Sequence, residues 1–191
     1  LSLCFGVPER TTKDGTVRQA PDAEHIKEIA QSLKAREVEA VGITFLHSYR
    51  NPGNEQTVAR ILRDEGFYVT ASHEIMPEYR EYERAVVTVL NAGLQPVIAE
   101  YVNNLETRLD GGAGKKLWII QSNGGILPPD LIKKEPIRTI TSGPAGGVTA
   151  ALEVARLSGD THVVTLDMGG TSTDVSSIKD SQLSMTRDSW L

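Results

Sequence analysis

Between residues 22 and 71 the hydrophobic period of the chain switches between that of a helix and that of a strand, an alternation that restricts the fold to the α/β class. Residues 22–36 place Ile26, Ile29, Ala30 and Leu33 at i, i+3, i+4 and i+7, with Asp22 as the N-cap. "VEAVGITFL" (38–46) follows as a strand. Asn51 and Pro52 then supply an N-cap and a first-turn proline for a helix through Val58, Ile61 and Leu62 that stops near Gly66. "FYVTA" (67–71) is the next strand. The longest helical period runs over residues 83–109 through Val86, Leu90, Leu94, Val97, Tyr101, Leu105 and Leu109, where Pro96 is expected to kink or divide it.

"DGGAGKK" (110–116) reads as a loop and a break between subregions. Beyond it the pattern predicts a strand "LWIIQS" (117–122), a short helix at 130–134, a strand "IRTITS" (137–142) and a helix from Pro144 to about Leu157. Two strands, "HVVTLDM" and "TDVSSI", close the pattern around a tight Gly-Gly turn. The expected organisation is an α/β subregion over 1–110 ending in the long helix, a strand-helix-strand-helix stretch over 111–160, and over 161–191 the start of a further half.

Composition narrows the function classes. The 191 residues are 39% hydrophobic and 24% charged with a net charge of −5, which argues against a nucleic-acid groove built from clustered Lys and Arg. The lone Cys4 has no internal disulfide partner, and neither a signal peptide nor an apolar run of about 18 residues is read, which points to a cytoplasmic protein with no membrane role. The chain opens on "LSLCFGVPER" without an initiator Met and closes on "TRDSWL", and is read as an internal piece of something longer.

Chemistry concentrates in "VVTLDMGGTSTDVSSI" (163–178). Val163, Val164 and Leu166 are expected to form a buried strand that presents Asp167 at its end. Gly169 and Gly170 let a backbone turn approach a ligand, its amide N–H groups suit phosphate oxygens, and Thr171 and Thr173 add hydroxyl donors. Asp167 repels phosphate and suits a Mg²⁺ ion that bridges to it. A hairpin turn with no ligand uses the same residue types, so the residues by themselves leave both readings open. "TSGPAGGVTAALEVARL" (141–157) sets Ser142, Gly143, Gly146 and Gly147 at a helix N-terminus, where backbone donors and the dipole favour anions, or where small residues permit close packing. "QSNGGI" (121–126) brings Asn123, Gly124 and Gly125 to another strand end. No P-loop and no G-x-G-x-x-G occurs. "REYERA" (80–85) reads as a solvated helix start, and His47 and His73 lack metal-ligand spacing.

In order along the chain, "FLHSYRNPGNEQ", "SHEIMPEYREYERAVVTVLNAGLQP", "QSNGGIL", "TSGPAGGV" and "DMGGTSTDVS" resemble the hydantoinase A and 5-oxoprolinase family, which includes acetone carboxylase β-subunits. The resemblance implies a partial ribonuclease-H-like fold, that of the actin, sugar-kinase and chaperone ATPases. It also implies ATP and Mg²⁺ as cofactors and ring opening of a cyclic amide after ATP activates its carbonyl. Asp167 would lie near the metal, Gly169, Gly170 and Thr171 at the phosphates, and Gly143, Gly146 and Gly147 on the helix facing the nucleotide cleft. Arg80, Glu83, Arg84 and Asn123 to Gly125 are its substrate candidates. Family members carry another D-x-G-G-T loop near their N-terminus, and this chain has no second copy. A second subunit or a fused domain is therefore expected to complete the site. An acetone-carboxylase-type subunit and a nucleotide-gated chaperone or cytoskeletal module are the rival readings; "REYER" and "QSNGG" favour the enzyme.

Overall fold

The computed structural model describes residues 3–109 and 117–183, in two compact units. The first is Leu1–Lys115 with Asp130–Ile137, and the second is Lys116–Pro129 with Arg138–Leu191. The 110–116 stretch read as a loop lies outside the described residues.

In the first unit a short antiparallel pair, β1 (Arg10–Thr11) and β2 (Val17–Gln19), precedes α1 (Ala23–Lys34). Asp22 caps α1 as expected, its carboxylate accepting the Glu24 N–H at 3.2 Å, and Ile26, Ile29, Ala30 and Leu33 are all buried. Next come β3 (Ala40–Ile43), α2 (Gly53–Asp64) and β4 (Tyr68–Ala71), with β3 and β4 parallel and in register from Ala40 opposite Tyr68 to Ile43 opposite Ala71. Both strands are shorter than the sequence suggests. The N-cap of α2 is Pro52, not Asn51 as expected, and the Asn51 side chain, one residue earlier, accepts the Gly53 N–H at 3.0 Å. Ile43, Val69 and Ala71 pack with α1 and α2 in one core, whereas Gly42 and Thr70 face a long helix on the other side of the sheet. That arrangement is a helix-sheet-helix sandwich around a βαβ unit.

After the single-turn α3 (Ser72–Ile75), the long helix α4 runs unbroken over Glu81–Leu109 with Pro96 inside it. The expected division at Pro96 is corrected: beyond the proline Ala99 and Val102 are buried and Glu106 pairs with Lys133 at 2.5 Å, and before it polar contacts hold the helix. Asn91 and Gln95 both donate to the Lys134 carbonyl, at 3.0 and 3.1 Å, and both bond the Thr70 hydroxyl of β4. A second correction concerns which face is buried. The apolar stripe is outward, with Leu90 50%, Val97 66% and Tyr101 57% exposed, and the buried side carries Arg84, Thr88, Asn91, Ala92, Gln95, Ala99 and Val102. At Thr88 the helix comes close to β3 because Gly42 has no side chain: a Cβ at Gly42 would meet Thr88 Cγ2 at 3.4 Å and the Val89 Cα at 3.5 Å. By length and composition α4 also passes as a membrane-crossing helix, correcting the reading that no such run exists. Its contacts with β3, β4 and α3 are those of a helix in a packed domain. The unit ends in α5 (Pro129–Lys134), whose Ile132 is buried, and the first half of the 3-10 turn Pro136–Thr139.

The second unit opens with β5 (Ile119–Ile120) and β6 (Ile126–Leu127), an antiparallel pair of two residues each in place of the expected six-residue strand. The strand expected over 137–142 is not formed. Pro136 has no N–H to give a ladder, and the Ser122 amide and hydroxyl bond the Arg138 carbonyl instead, at 2.7 and 2.8 Å. Helix α6 (Ser142–Ser158) follows, entered through Thr141 at φ 62° and left through Gly159 at φ 80°. The antiparallel strands β7 (Val163–Met168) and β8 (Thr173–Lys179) then meet in a six-pair hairpin, and β9 (Gln182–Leu183) adds to β8. The expectation that β7 is buried is corrected. Val164, Leu166, Met168 and Val175 stand 63 to 72% exposed on one face, and only Ile178, at the far end of the other, is buried.

Candidate functional site

The β7–β8 hairpin forms as the sequence predicts. Asp167 pairs with Asp174 and Met168 with Thr173, so residues 169–172 make the turn and the two carboxylates lie on the same face of the sheet. The Gly169 N–H closes the turn on the Ser172 carbonyl at 2.9 Å. Among the described residues the amides of Gly170, Thr171 and Ser172 have no protein acceptor, and a Cβ at Gly170 would meet nothing within 4 Å. Asp167, Gly169, Gly170, Thr171 and Thr173 are all exposed. The tip is thus a set of outward-facing donors behind an acidic pair.

Two further candidate clusters are brought together. A Cβ added to Gly124 would lie 2.8 Å from the Thr149 hydroxyl of α6, and one added to Gly146 would lie 3.1 Å from Ile120 of β5. The loop carrying Asn123, Gly124 and Gly125 therefore rests on the glycine-rich first half of α6, which also holds Ser142, Gly143 and Gly147. Gly124 takes φ 79°, and the Asn123 side chain accepts the Gly125 N–H at 2.9 Å. Thr141 gives α6 no side-chain cap. The donors of its first turn depend on other partners.

The substrate candidates of the first unit divide. Arg80 and Glu83 are exposed and 3.9 Å apart, an ion pair at a helix start as the solvated reading expects. Arg84 is the exception and corrects that reading: it is 0% exposed, with Nη1 donating to the Glu78 carbonyl, Nη2 to the Phe45 carbonyl, each at 2.9 Å, and its guanidinium 5.4 Å from the Tyr49 ring. Its Nε and the His47 Nδ1 are buried without a partner among the described residues, and His47 takes φ 61°.

Sequence reasoning missed the group this loop is built on. Glu55, 0% exposed, accepts from the Phe45 N–H at 2.7 Å, the Ser72 hydroxyl at 2.6 Å, the His73 N–H at 3.0 Å and His73 Nδ1 at 2.7 Å. Burial pushes the carboxyl up, but the His73 and Ser72 side chains and the His73 and Phe45 amides outweigh it, so Glu55 sits below its ordinary value. The signal was in view: Glu55 lies on the apolar stripe of α2, three and seven residues before Val58 and Leu62. Ser72 donates to the carboxylate rather than to a histidine, so the cluster lacks the nucleophile-to-base bond of a catalytic triad. It joins two of the sequence blocks, 45–56 and 72–96, through Phe45, whose N–H meets Glu55 and whose carbonyl meets Arg84.

Residues 84–190 match the hydantoinase/oxoprolinase family, and residues 1–66 match the hydantoinase/oxoprolinase N-terminal region. The chain belongs to the hydantoinase/oxoprolinase family. The caprolactamase subunit alpha of Pseudomonas jessenii is 34% identical over 94% of this chain and 26% of its own length. The crystal structure of the ATP-dependent caprolactamase from that organism superposes with a TM-score of 0.78 at 34% identity, over 90% of this chain and 25% of that one. The 5-oxoprolinase of Saccharomyces cerevisiae is 36% identical over 87% of this chain and 13% of its own. A nucleotide-free acetone carboxylase structure reaches a TM-score of 0.74 at 30% identity, over 94% of this chain and 26% of that one. This hydantoinase/oxoprolinase chain therefore spans about a quarter of its relatives' length, or less.

Proposed function

We propose that this chain is the phosphate-facing part of an ATP-dependent enzyme that opens cyclic amides, on a ribonuclease-H-like ATPase fold. The observation that carries the reading is the hairpin tip, where among the described residues the Gly170 to Ser172 amides lack protein acceptors beside Asp167 and Asp174. Outward amides in a turn suit phosphate oxygens. Carboxylates on the same face suit the cation that accompanies phosphate. No group of three metal-ligating side chains occurs among the described residues. Mg²⁺ is commonly held by one or two carboxylates together with water and phosphate oxygens. Asp167 is its holder in this reading, and when bound the ion neutralises charge on the phosphates.

Each part of the second unit then has a role. The Gly169 to Thr171 turn and the hydroxyls of Thr171 and Thr173 orient the phosphates, and Ser142, Gly143, Gly146 and Gly147 add the positive end of α6. In this reading the amide oxygen would take the γ-phosphoryl group as ADP leaves, one water would add to the carbonyl carbon, the ring C–N bond would break with protonation of the nitrogen to leave an acyl phosphate, and a second water would release phosphate and the carboxylate. The gain is in the carbonyl carbon, since an amide is a poor electrophile and its O-phosphorylated form a better one. Within this unit the loop at Asn123 to Gly125 is the substrate candidate, because it rests on α6. Arg84 is assigned instead to holding the loop around Phe45, since both of its Nη groups are already engaged by carbonyls. A second subunit or a fused domain completes the site, in line with the caprolactamase relative being itself a subunit.

The acetone carboxylase likeness supports a second reading, in which ATP activates a ketone. Phosphate release by the complete enzyme with 5-oxoproline, caprolactam, hydantoin or acetone separates the two. Asp167→Asn in that enzyme is expected to lower ATP-dependent turnover by about 100-fold or more with unchanged thermal unfolding. Full activity in the variant removes the metal role.

A further inference from the structure

Among the described residues strand β3 has a neighbour on one edge only. Among the described residues its sheet consists of β3 and β4, a parallel pair, and parallel sheets of two strands seldom stand alone. The Tyr68 N–H donates to the Glu39 carbonyl at 2.9 Å, and Val41 and Ile43 stand opposite Val69 and Ala71. Peptide groups alternate in direction along a strand, so those of Glu39, Val41 and Ile43 turn toward β4. The N–H and C=O groups of Ala40 and Gly42 turn to the other edge, where no strand lies among the described residues.

That edge is open to solvent and apolar. Gly42 is exposed even though Thr88 and Val89 of α4 close over its face, so what it exposes is its backbone. A cavity of about 720 Å³ runs beside it, lined among others by Phe5, Val7, Val41, Ile43, Val89 and Ala92. Val89 is 63% exposed. Unpaired peptide groups next to an apolar cavity form the surface that a β-strand covers, with its backbone on the edge and its side chains in the cavity.

We propose that a further β-strand, parallel to β3 and supplied by the part of the protein outside residues 1–191, completes this edge. It lies between α4 and the α1–α2 layer, buried on both faces, and so is a run of about four to six consecutive apolar residues rich in Val and Ile. The caprolactamase chain, of which this one covers 25%, has ample length outside the matched part to hold such a strand. A second copy is the other occupant to consider. A two-fold axis would set two β3 strands antiparallel, against the parallel sense of this sheet. The assignment is independent of the nucleotide reading.

Hydrogen exchange at single-residue resolution on the complete protein tests it. The Ala40 and Gly42 amides should exchange at least about 100-fold slower than free peptide, at a level comparable to Val41 and Ile43 and unchanged on dilution. Fast exchange at Ala40 and Gly42 with slow exchange at Val41 and Ile43 overturns the proposal. Protection of only one of the two marks a capping side chain or loop and overturns strand pairing, and protection lost on dilution assigns the edge to a second copy.

Discussion

Glu55 ties together the loop at Phe45, the start of α3 and the body of α2 through four hydrogen bonds to one buried carboxylate. Removing the charge weakens every one of those bonds while leaving the volume filled. Glu55→Gln is therefore expected to cost about 2–4 kcal/mol of stability at pH 7, read from the urea midpoint. The pH dependence follows from the direction of the shift. Glu55 is lowered from 4.5 in the folded chain, so its contribution is fully present above the ordinary carboxyl range and is lost as pH falls through the lowered value. The native protein and the variant should thus converge in acid and separate toward neutrality. A constant gap between them from pH 3 to pH 7 would assign the loss to packing instead.

At the scale of elements, α4 shows how a buried face is chosen. Its larger apolar side chains point outward, while on the side toward the sheet Gly42 lets Thr88 come close and Thr88, Asn91 and Gln95 satisfy their polar atoms with bonds to the Arg84, Thr70 and Lys134 oxygens. The contact of the Asn123 loop with α6 depends on the same kind of close approach. At Gly124 a side chain meets both a φ of 79° and the Thr149 hydroxyl at 2.8 Å. Gly124→Ala is expected to destabilise the complete protein by about 1–3 kcal/mol. Thr149→Ala should recover the steric part of that loss and leave the backbone part. Equal losses in the two backgrounds, measured as a double-mutant cycle, would show that the loop does not press on α6.

For the whole molecule the exposed hairpin sets the expectation for ligand affinity. Donors open to water on one side gain little by exchanging it for phosphate, and the ordering of the ligand still has to be offset. ATP is expected to bind the 191-residue chain no tighter than about millimolar, roughly 4 kcal/mol, without Mg²⁺-dependent hydrolysis. Calorimetry and phosphate release on the purified chain measure both. Micromolar binding with turnover would mean that these two units hold a whole cleft. The outward apolar stripe of α4 and the exposed β7–β8 face, Val164, Leu166, Met168 and Val175, are the surfaces on which further chain would act most strongly on stability.

Local interactions were legible in the sequence, because each depends on neighbours a few residues away. The Asp22 cap and the Ile26 to Leu33 stripe follow from helical spacing, and the hairpin from two β-rich runs around Gly169 and Gly170, where only a turn satisfies both. Family blocks in order likewise revealed the hydantoinase/oxoprolinase membership. Decisions that depend on distant partners were not legible. Burial of Arg84 is decided by carbonyls, one of them 39 residues away, and although the place of Glu55 on the apolar stripe was legible, its partners, two amides, a hydroxyl and an imidazole from the Phe45 and Ser72 segments, were not. The segment 137–142 carries strand-forming residues, yet Ser122 supplies its partners and leaves no ladder. On α4 the sequence by itself determined a helix, since its period survives Pro96. The tertiary structure alone decided which side of it faces the sheet, because Arg84, Thr88, Asn91 and Gln95 find hydrogen-bond partners there and Gly42 admits the close approach at Thr88.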